Sequence, residues 1–212
     1  EIGGLGFMSF TTLIAIILGK KITLRERLIL QDAMNTFNIQ GLVKMVKYVL
    51  VFTVSVQFFG ALLLSTQFIP EFGFGKGAFY SLFHSISAFC NAGFDVLGKG
   101  NSLISFNTNV VVIMVLSILI IIGGLGFTVW SELYTCKSIR RVSIHSKMVL
   151  LITTGLVVGG TLLMFLFEHN NPQTISKMSF INKLTNSFFA SVTPRTAGFN
   201  SISTSGMTTA GQ

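Results

Sequence analysis

Long apolar runs alternate with short charged or polar intervals along the chain. Ile2 to Gly19 carries no charge and stops at Lys20-Lys21. Tyr48 to Ile69 is also uncharged and closes on Pro70-Glu71. Asn109 to Trp130 and Met148 to Phe167 complete the set. Each run approaches the ~20 residues that an α-helix needs to cross a hydrocarbon layer. Two further apolar stretches, Ala78 to Cys90 and Phe180 to Ser191, are too short to cross. Both lead into the phrase Ala-Gly-Phe, at 92–94 and again at 197–199. The pattern predicts a long span, a short re-entrant helix, a glycine turn and another long span. Between these elements, Gly73 to Gly77 reads as a glycine-rich turn, and Val96 to Asn107 as a polar loop. Glu168 to Lys177 is polar and carries the turn signal Asn170-Asn171-Pro172.

Composition places this pattern in a membrane. Half of the 212 residues are apolar and 10% are charged, against about a quarter charged in soluble domains. The formal net charge of +8 is not spread as a nucleic-acid stripe. Ten of the fifteen Lys and Arg fall in two intervals, 20–47 and 137–147, and five (Lys76, Lys99, Lys177, Lys183 and Arg195) fall on the opposite side. That bias puts the two intervals in the cytoplasm and has the short helices dip in from outside. Cys90 and Cys136 lie far apart without a metal-binding spacing, so neither a disulfide nor a metal centre is expected. His84, His145 and His169 are scattered, and no catalytic triad or carboxylate pair stands out, so an enzyme is not expected. The chain opens at Glu1-Ile2-Gly3-Gly4, within an apolar run and without a basic leader, which reads as a segment of a longer chain.

An internal repeat organises the spans. Gly3-Gly4-Leu5-Gly6-Phe7 returns 120 residues later as Gly123-Gly124-Leu125-Gly126-Phe127, and Lys20-Lys21-Ile22-Thr23-Leu24 returns as Arg140-Arg141-Val142-Ser143-Ile144. The Ala-Gly-Phe phrases are 105 apart, so the first unit carries about 15 extra residues near Gln31 to Val46. Residues 1–47 then hold the last span of one unit with a cytoplasmic linker. Residues 48–147 are a complete second unit, and 148–212 are a third unit that runs to its glycine turn and tail. Parallel repeats imply rotation about the membrane normal around a pseudo-symmetric pore. The expected fold is an all-α integral membrane protein of membrane–pore helix–membrane units, as in K⁺ channels.

The chemistry lies in the two turns. Non-helical backbone at membrane depth is tolerated where it lines a water-filled path, and rings of carbonyls replace the hydration shell of K⁺ in channel filters. Gly93 and Gly198 accept a positive φ cheaply. Asn91, Ala92, Gly93 and Phe94, with Thr196, Ala197, Gly198 and Phe199, are the candidate K⁺ filter residues. Phe94 and Phe199 are expected to wedge their turns against the helices, and Asn91 and Thr196 to brace the loops or offer an oxygen. Asp95 is expected at the outer mouth, gathering cations or pairing with Lys99. Arg195, a cation beside a cation path, is expected to point away and bind backbone or a neighbouring loop. His84 and Ser87 are expected as hydrogen-bonded supports, and the Gly123 motif as a close-packing site within its span. Two turns alone cannot close a ring of carbonyls.

These phrases, Ile2 to Met8, Phe89 to Asp95, Ile122 to Phe127 and Thr193 to Asn200, resemble the Trk/Ktr/HKT superfamily of potassium transporters, in particular the Ktr-type bacterial membrane subunit. The resemblance covers the whole chain. It implies four membrane–pore–membrane units around one pathway, with Gly93 and Gly198 at the filter-glycine positions of the second and third. It also implies potassium uptake across the cell membrane, a homodimer embedded in lipid, and a cytoplasmic ring of nucleotide- or NAD-binding regulatory subunits. Sodium dependence occurs in such systems; no other cofactor and no nucleic acid is expected. Two other classes remain open: a secondary transporter with discontinuous helices, which calls for inverted repeats and charges within spans, and a non-conducting membrane scaffold.

Overall fold

The computed structural model describes residues 42–97, 102–135, 142–209 and 211. The expected first span, Ile2 to Gly19, and the linker to residue 41 lie outside the described residues. All regular structure among the described residues is helical. Helix α1 is Leu42–Phe72, α2 is Phe74–Phe89, α3 is Val110–Gly124, α4 is Phe127–Thr135, α5 is Ile144–Glu168 and α6 is Phe180–Val192. Short 3₁₀ turns occupy Ser102–Phe106 and Thr204–Gly206. Tyr48–Phe72 and Ile144–Glu168 are long and apolar enough to cross a membrane, and α3 with α4 forms a third candidate, broken span. The chain is a membrane protein of multiple candidate spans.

Three boundaries differ from the pattern of the sequence. Helix α1 does not stop at Pro70 but continues to Phe72. Proline this close to a helix end removes a single ladder bond. The turn beyond it is held by rings: Phe72 lies 5.1 Å from Tyr80 and 6.2 Å from Phe68. The glycine-rich stretch 73–77 is not a loop. Gly73 alone turns the chain, at φ 79, and α2 starts at Phe74. Gly77 already lies inside α2, where a Cβ would fall 2.6 Å from the Cα of Ile69, so it permits α2 to fold back onto α1. The third run is not one straight span: the helix breaks at Leu125-Gly126, where Gly126 takes φ 86. In the stretch expected as a polar loop, the 3₁₀ turn buries Leu103 and Phe106.

The described chain divides into two compact units. In the one that draws on residues 1–56 and 125–150, Phe52 packs on Trp130 with ring centres 5.0 Å apart, and the Ser143 amide donates to the Glu132 carboxylate. The other comprises 57–124 and 151–212 and contains both turns. There α3 packs against both α2 and α6. The approach of α2 is backbone-close: a Cβ on Gly123 would run into the Phe89 carbonyl. Ser85 Oγ donates to the Gln57 carbonyl at 2.7 Å and Asn109 Nδ2 to Gln67 Oε1 at 2.9 Å, tying α2 and the start of α3 to α1. On α6, Ser191 Oγ donates to the Val157 carbonyl of α5. Phe68, Ile113, Leu116, Ile120 and Phe189 are fully buried between these helices. Phe58, Phe59, Leu62 and Leu63 on α1, with Leu156, Leu163 and Leu166 on α5, are exposed, as helices bordered by hydrocarbon require.

Candidate functional site

Both turns grow out of helix C-termini. At the end of α2 the Asn91 amide donates to the Ala88 carbonyl and the Ala92 amide to Ser87. At the end of α6 the Arg195 amide donates to Val192 and the Ala197 amide to Thr193. Neither helix has a basic residue in its last turn, so the partial negative charge of each C-terminus faces its own turn uncompensated within the helix. The backbone then repeats itself. Asn91 and Gly93 take φ 50 and 69, and Thr196 and Gly198 take φ 66 and 74, while Ala92 and Ala197 between them do not enter the left-handed region. Left-handed geometry costs β-branched Thr196 roughly 1–2 kcal/mol, and Asn91, whose short polar side chain tolerates this region, less. Strain of this order persists where surrounding structure over-determines it, and it clusters at functional sites.

The two turns meet glycine against glycine. A Cβ placed on Gly93 would lie 2.5 Å from the Ala197 carbonyl oxygen and 2.7 Å from the Gly198 Cα. A Cβ on Gly198 would lie 3.0 Å from the Gly93 Cα. Both positions therefore require glycine twice, for φ and for space. The structure brings together Ala92, Gly93, Ala197 and Gly198 in this way.

Side chains around the turns divide into supports and departures. His84 and Ser87 are supports, as their position on the short helix suggested. Ser87 Oγ donates to the Phe94 carbonyl at 3.0 Å. His84 is fully buried; its Nδ1 lies 2.7 Å from the Tyr80 carbonyl and its Nε2 3.1 Å from Asp95 Oδ1. Asp95 is thus hydrogen-bonded and largely shielded from solvent. Its side chain is 13% exposed, and the same oxygen accepts the Leu97 amide at 2.8 Å. Lys99, its other expected partner, lies outside the described residues. Phe199 is fully buried with its ring 6.2 Å from that of His84, whereas Phe94 is 68% exposed. Thr196 Oγ1 donates to the adjacent Arg195 carbonyl, and Asn91 Oδ1 is buried without a described hydrogen-bond partner. Arg195 reaches a helix: its Nη2 donates to Thr153 Oγ1 on α5 at 2.9 Å.

Residues not singled out from sequence complete the second turn. The Asn200 amide donates to Ser102 Oγ and its carbonyl accepts the Leu103 amide, stitching the turn to the 3₁₀ segment. A cavity of about 570 Å³ lies beside it, lined by Met164, Thr193, Pro194, Phe199 and residues Asn200 to Ile202 of the tail among others. Farther on, buried Glu168 accepts from Asn171, Thr174 and both the amide and hydroxyl of Thr208, which ties the tail to the end of α5. The bonds of Ser102 with Asn200 and of Glu168 with Thr208 join residues 98 and 40 apart, so no short sequence spacing signals them.

All residues, 1–212, match the TrkH family of cation transport proteins. The chain belongs to that family. Among curated relatives, it is 48% identical over 202 residues to the potassium/sodium uptake protein NtpJ of Enterococcus hirae. It is 43% identical over 202 residues to the Ktr system potassium uptake protein B of Bacillus subtilis, and 36% identical over 204 to that of Vibrio alginolyticus. Each match takes in 95% of this chain and 44% or 45% of the relative, so the chain spans less than half the length of the proteins it resembles. The TrkH family is one of transporters, not enzymes, and membership agrees with the apolar candidate spans.

Proposed function

We propose that this chain forms two of the filter turns of a potassium uptake pathway, with carbonyls of Asn91 to Phe94 and Thr196 to Phe199 replacing water around a K⁺ ion. The observation that carries the reading is the meeting of two turns with the same alternation of left-handed and ordinary φ, each at a helix C-terminus. Such alternation lets successive peptide groups present their dipoles to one side, and carbonyl rings of this kind suit K⁺. The Phe94 carbonyl also accepts from Ser87, which leaves its second lone pair for the pathway. The helix ends favour a cation at the same place.

The same reading divides the chain into the end of one unit (1–47), a second unit (48–147) and a third (148–212), in a protein of four such units. The whole transporter is a homodimer in the plasma membrane, and the basic intervals 20–47 and 137–147 face a cytoplasmic nucleotide- or NAD-binding ring. Relatives named for a Ktr system and for potassium/sodium uptake support this assignment and a role for Na⁺. The discontinuous-helix alternative calls for inverted repeats and for charges within spans; against it stand the sequence repeat, which reads as parallel, and Arg195, the cation of the second turn, which is turned onto Thr153.

The test is ion uptake by the full-length protein in cells lacking other potassium systems. Gly93→Ser and Gly198→Ser each lower the K⁺-over-Na⁺ uptake ratio by about tenfold or more, a loss of roughly 1.4 kcal/mol in discrimination. Unchanged ratios in both variants, at wild-type abundance, refute the assignment.

A further inference from the structure

His84 occupies a place that neither the family nor the turn geometry explains. It sits on α2, eleven residues before Asp95, fully buried, and it reaches both turns. Through Nε2 it holds the carboxylate of Asp95, the residue that directly follows the first turn. Its ring lies 6.2 Å from that of Phe199, the last residue of the second turn, and 5.6 Å from that of Phe68 on α1. Ring centres at these separations are in packing range. Through Nδ1 it is anchored to its own helix at Tyr80. One side chain therefore connects α1, α2 and the two turns.

The repeat supplies an independent argument. The offset of 105 that superposes the Ala-Gly-Phe phrases sets His84 against Phe189 and Asp95 against Asn200. Both members of the pair change together. In the third unit Phe189 is fully buried and makes no polar reach, and Asn200 is held through its backbone by Ser102 and Leu103 instead. The two turns share a backbone pattern but not a method of fixation, and the hydrogen bond from the ring to Asp95 belongs to the first alone.

We infer that His84 is a positioning residue for ion discrimination: by holding Asp95 and packing on Phe199 it sets the first turn in register against the second. This rests on the filter reading above. The two ring nitrogens separate its roles. In His84→Asn the amide nitrogen replaces Nδ1 and keeps the Tyr80 anchor but cannot reach Asp95. In His84→Gln the longer amide replaces Nε2 and keeps the donor to Asp95.

The experiment compares K⁺ and Na⁺ uptake by the full-length protein carrying either substitution, with membrane abundance measured by immunoblot. Gly93→Ser is carried alongside. His84→Asn lowers the K⁺-over-Na⁺ ratio by about tenfold at matched abundance, a change of roughly 1.4 kcal/mol in discrimination. His84→Gln stays within about threefold of wild type, the scale of an ordinary hydrogen-bond rearrangement. If His84→Asn fails to reach the membrane, Asp95→Ala removes the same bond from the other side and carries the comparison with His84→Gln. An unchanged ratio in His84→Asn overturns the inference, as does an equal fall in both ions' uptake that tracks abundance. If Gly93→Ser also leaves the ratio intact, the filter reading itself has failed; if Gly93→Ser lowers it and His84→Asn does not, only the role of His84 has.

Discussion

The turn at Asn91–Phe94 and the turn at Thr196–Phe199 have the same φ pattern and the same helix-end origin, yet almost nothing holds them in the same way. The first is fixed by side chains of its own helix: Ser87 on the Phe94 carbonyl and His84 on Asp95. The second is fixed from elsewhere in the chain, by Ser102 and Leu103 on Asn200, Thr153 on Arg195, and burial of Phe199. The phenylalanines show the contrast most plainly. Phe199 is fully buried and Phe94 is 68% exposed. Backbone geometry is thus the quantity the repeat preserves, and support is what each unit supplies locally. A turn whose carbonyls do the work constrains φ and glycine space; it leaves the surrounding side chains free to differ as long as the backbone is held.

The contrast is broken most forcefully at the phenylalanines. Phe199→Ala empties a packed site and destabilises the protein by about 3–5 kcal/mol. Phe94→Ala at the equivalent exposed position stays within about 0.5 kcal/mol. Thermal denaturation of the detergent-solubilised full-length protein distinguishes them, and equal losses would show that the two turns are buried alike. Next in size are the glycines. Gly93→Ala costs more than Gly198→Ala, because its Cβ would meet a carbonyl oxygen at 2.5 Å where that of Gly198 meets a Cα at 3.0 Å. The positive φ alone costs each about 1–2 kcal/mol. The same melting curves rank them, and the reverse order would contradict the close approach described. Smallest are the single hydroxyls. Ser87→Ala and Ser102→Ala each remove one hydrogen bond, worth about 0.5–1.5 kcal/mol. Backbone hydrogen-exchange protection around position 94 falls in the first variant, and around position 200 in the second. Protection that falls at both positions in either variant would mean the turns are not held separately.

Much of this was legible in the chain itself. The apolar runs Tyr48–Ile69 and Met148–Phe167 became α1 and α5 with ends moved by a few residues, because lipid-facing helices advertise themselves by length and lack of charge. The short helices and both glycine turns were equally plain. What sequence rules placed wrongly were the points where tertiary packing overrides local signals. Pro70 fails to end α1 because Phe72 is held by Tyr80 and Phe68. Gly75 and Gly77 enter α2 because Gly77 is needed to pass Ile69 closely. Within the site, Arg195 was expected to avoid the turn but not to find Thr153, 42 residues away on another helix. The contact of Asp95 with His84, eleven residues earlier on the preceding helix, has no short-range signal in the chain. The joint exchange of His84 and Asp95 for Phe189 and Asn200 in the repeat was the available signal for that pair.

Crystals of the full-length protein grown with Rb⁺ in place of K⁺ test the central claim most directly, because Rb⁺ scatters anomalously. An anomalous peak within coordinating distance of the carbonyls of Gly93 and Gly198 is the expected result. A pathway whose anomalous peaks all lie away from both turns, in crystals that hold Rb⁺ elsewhere, would contradict it.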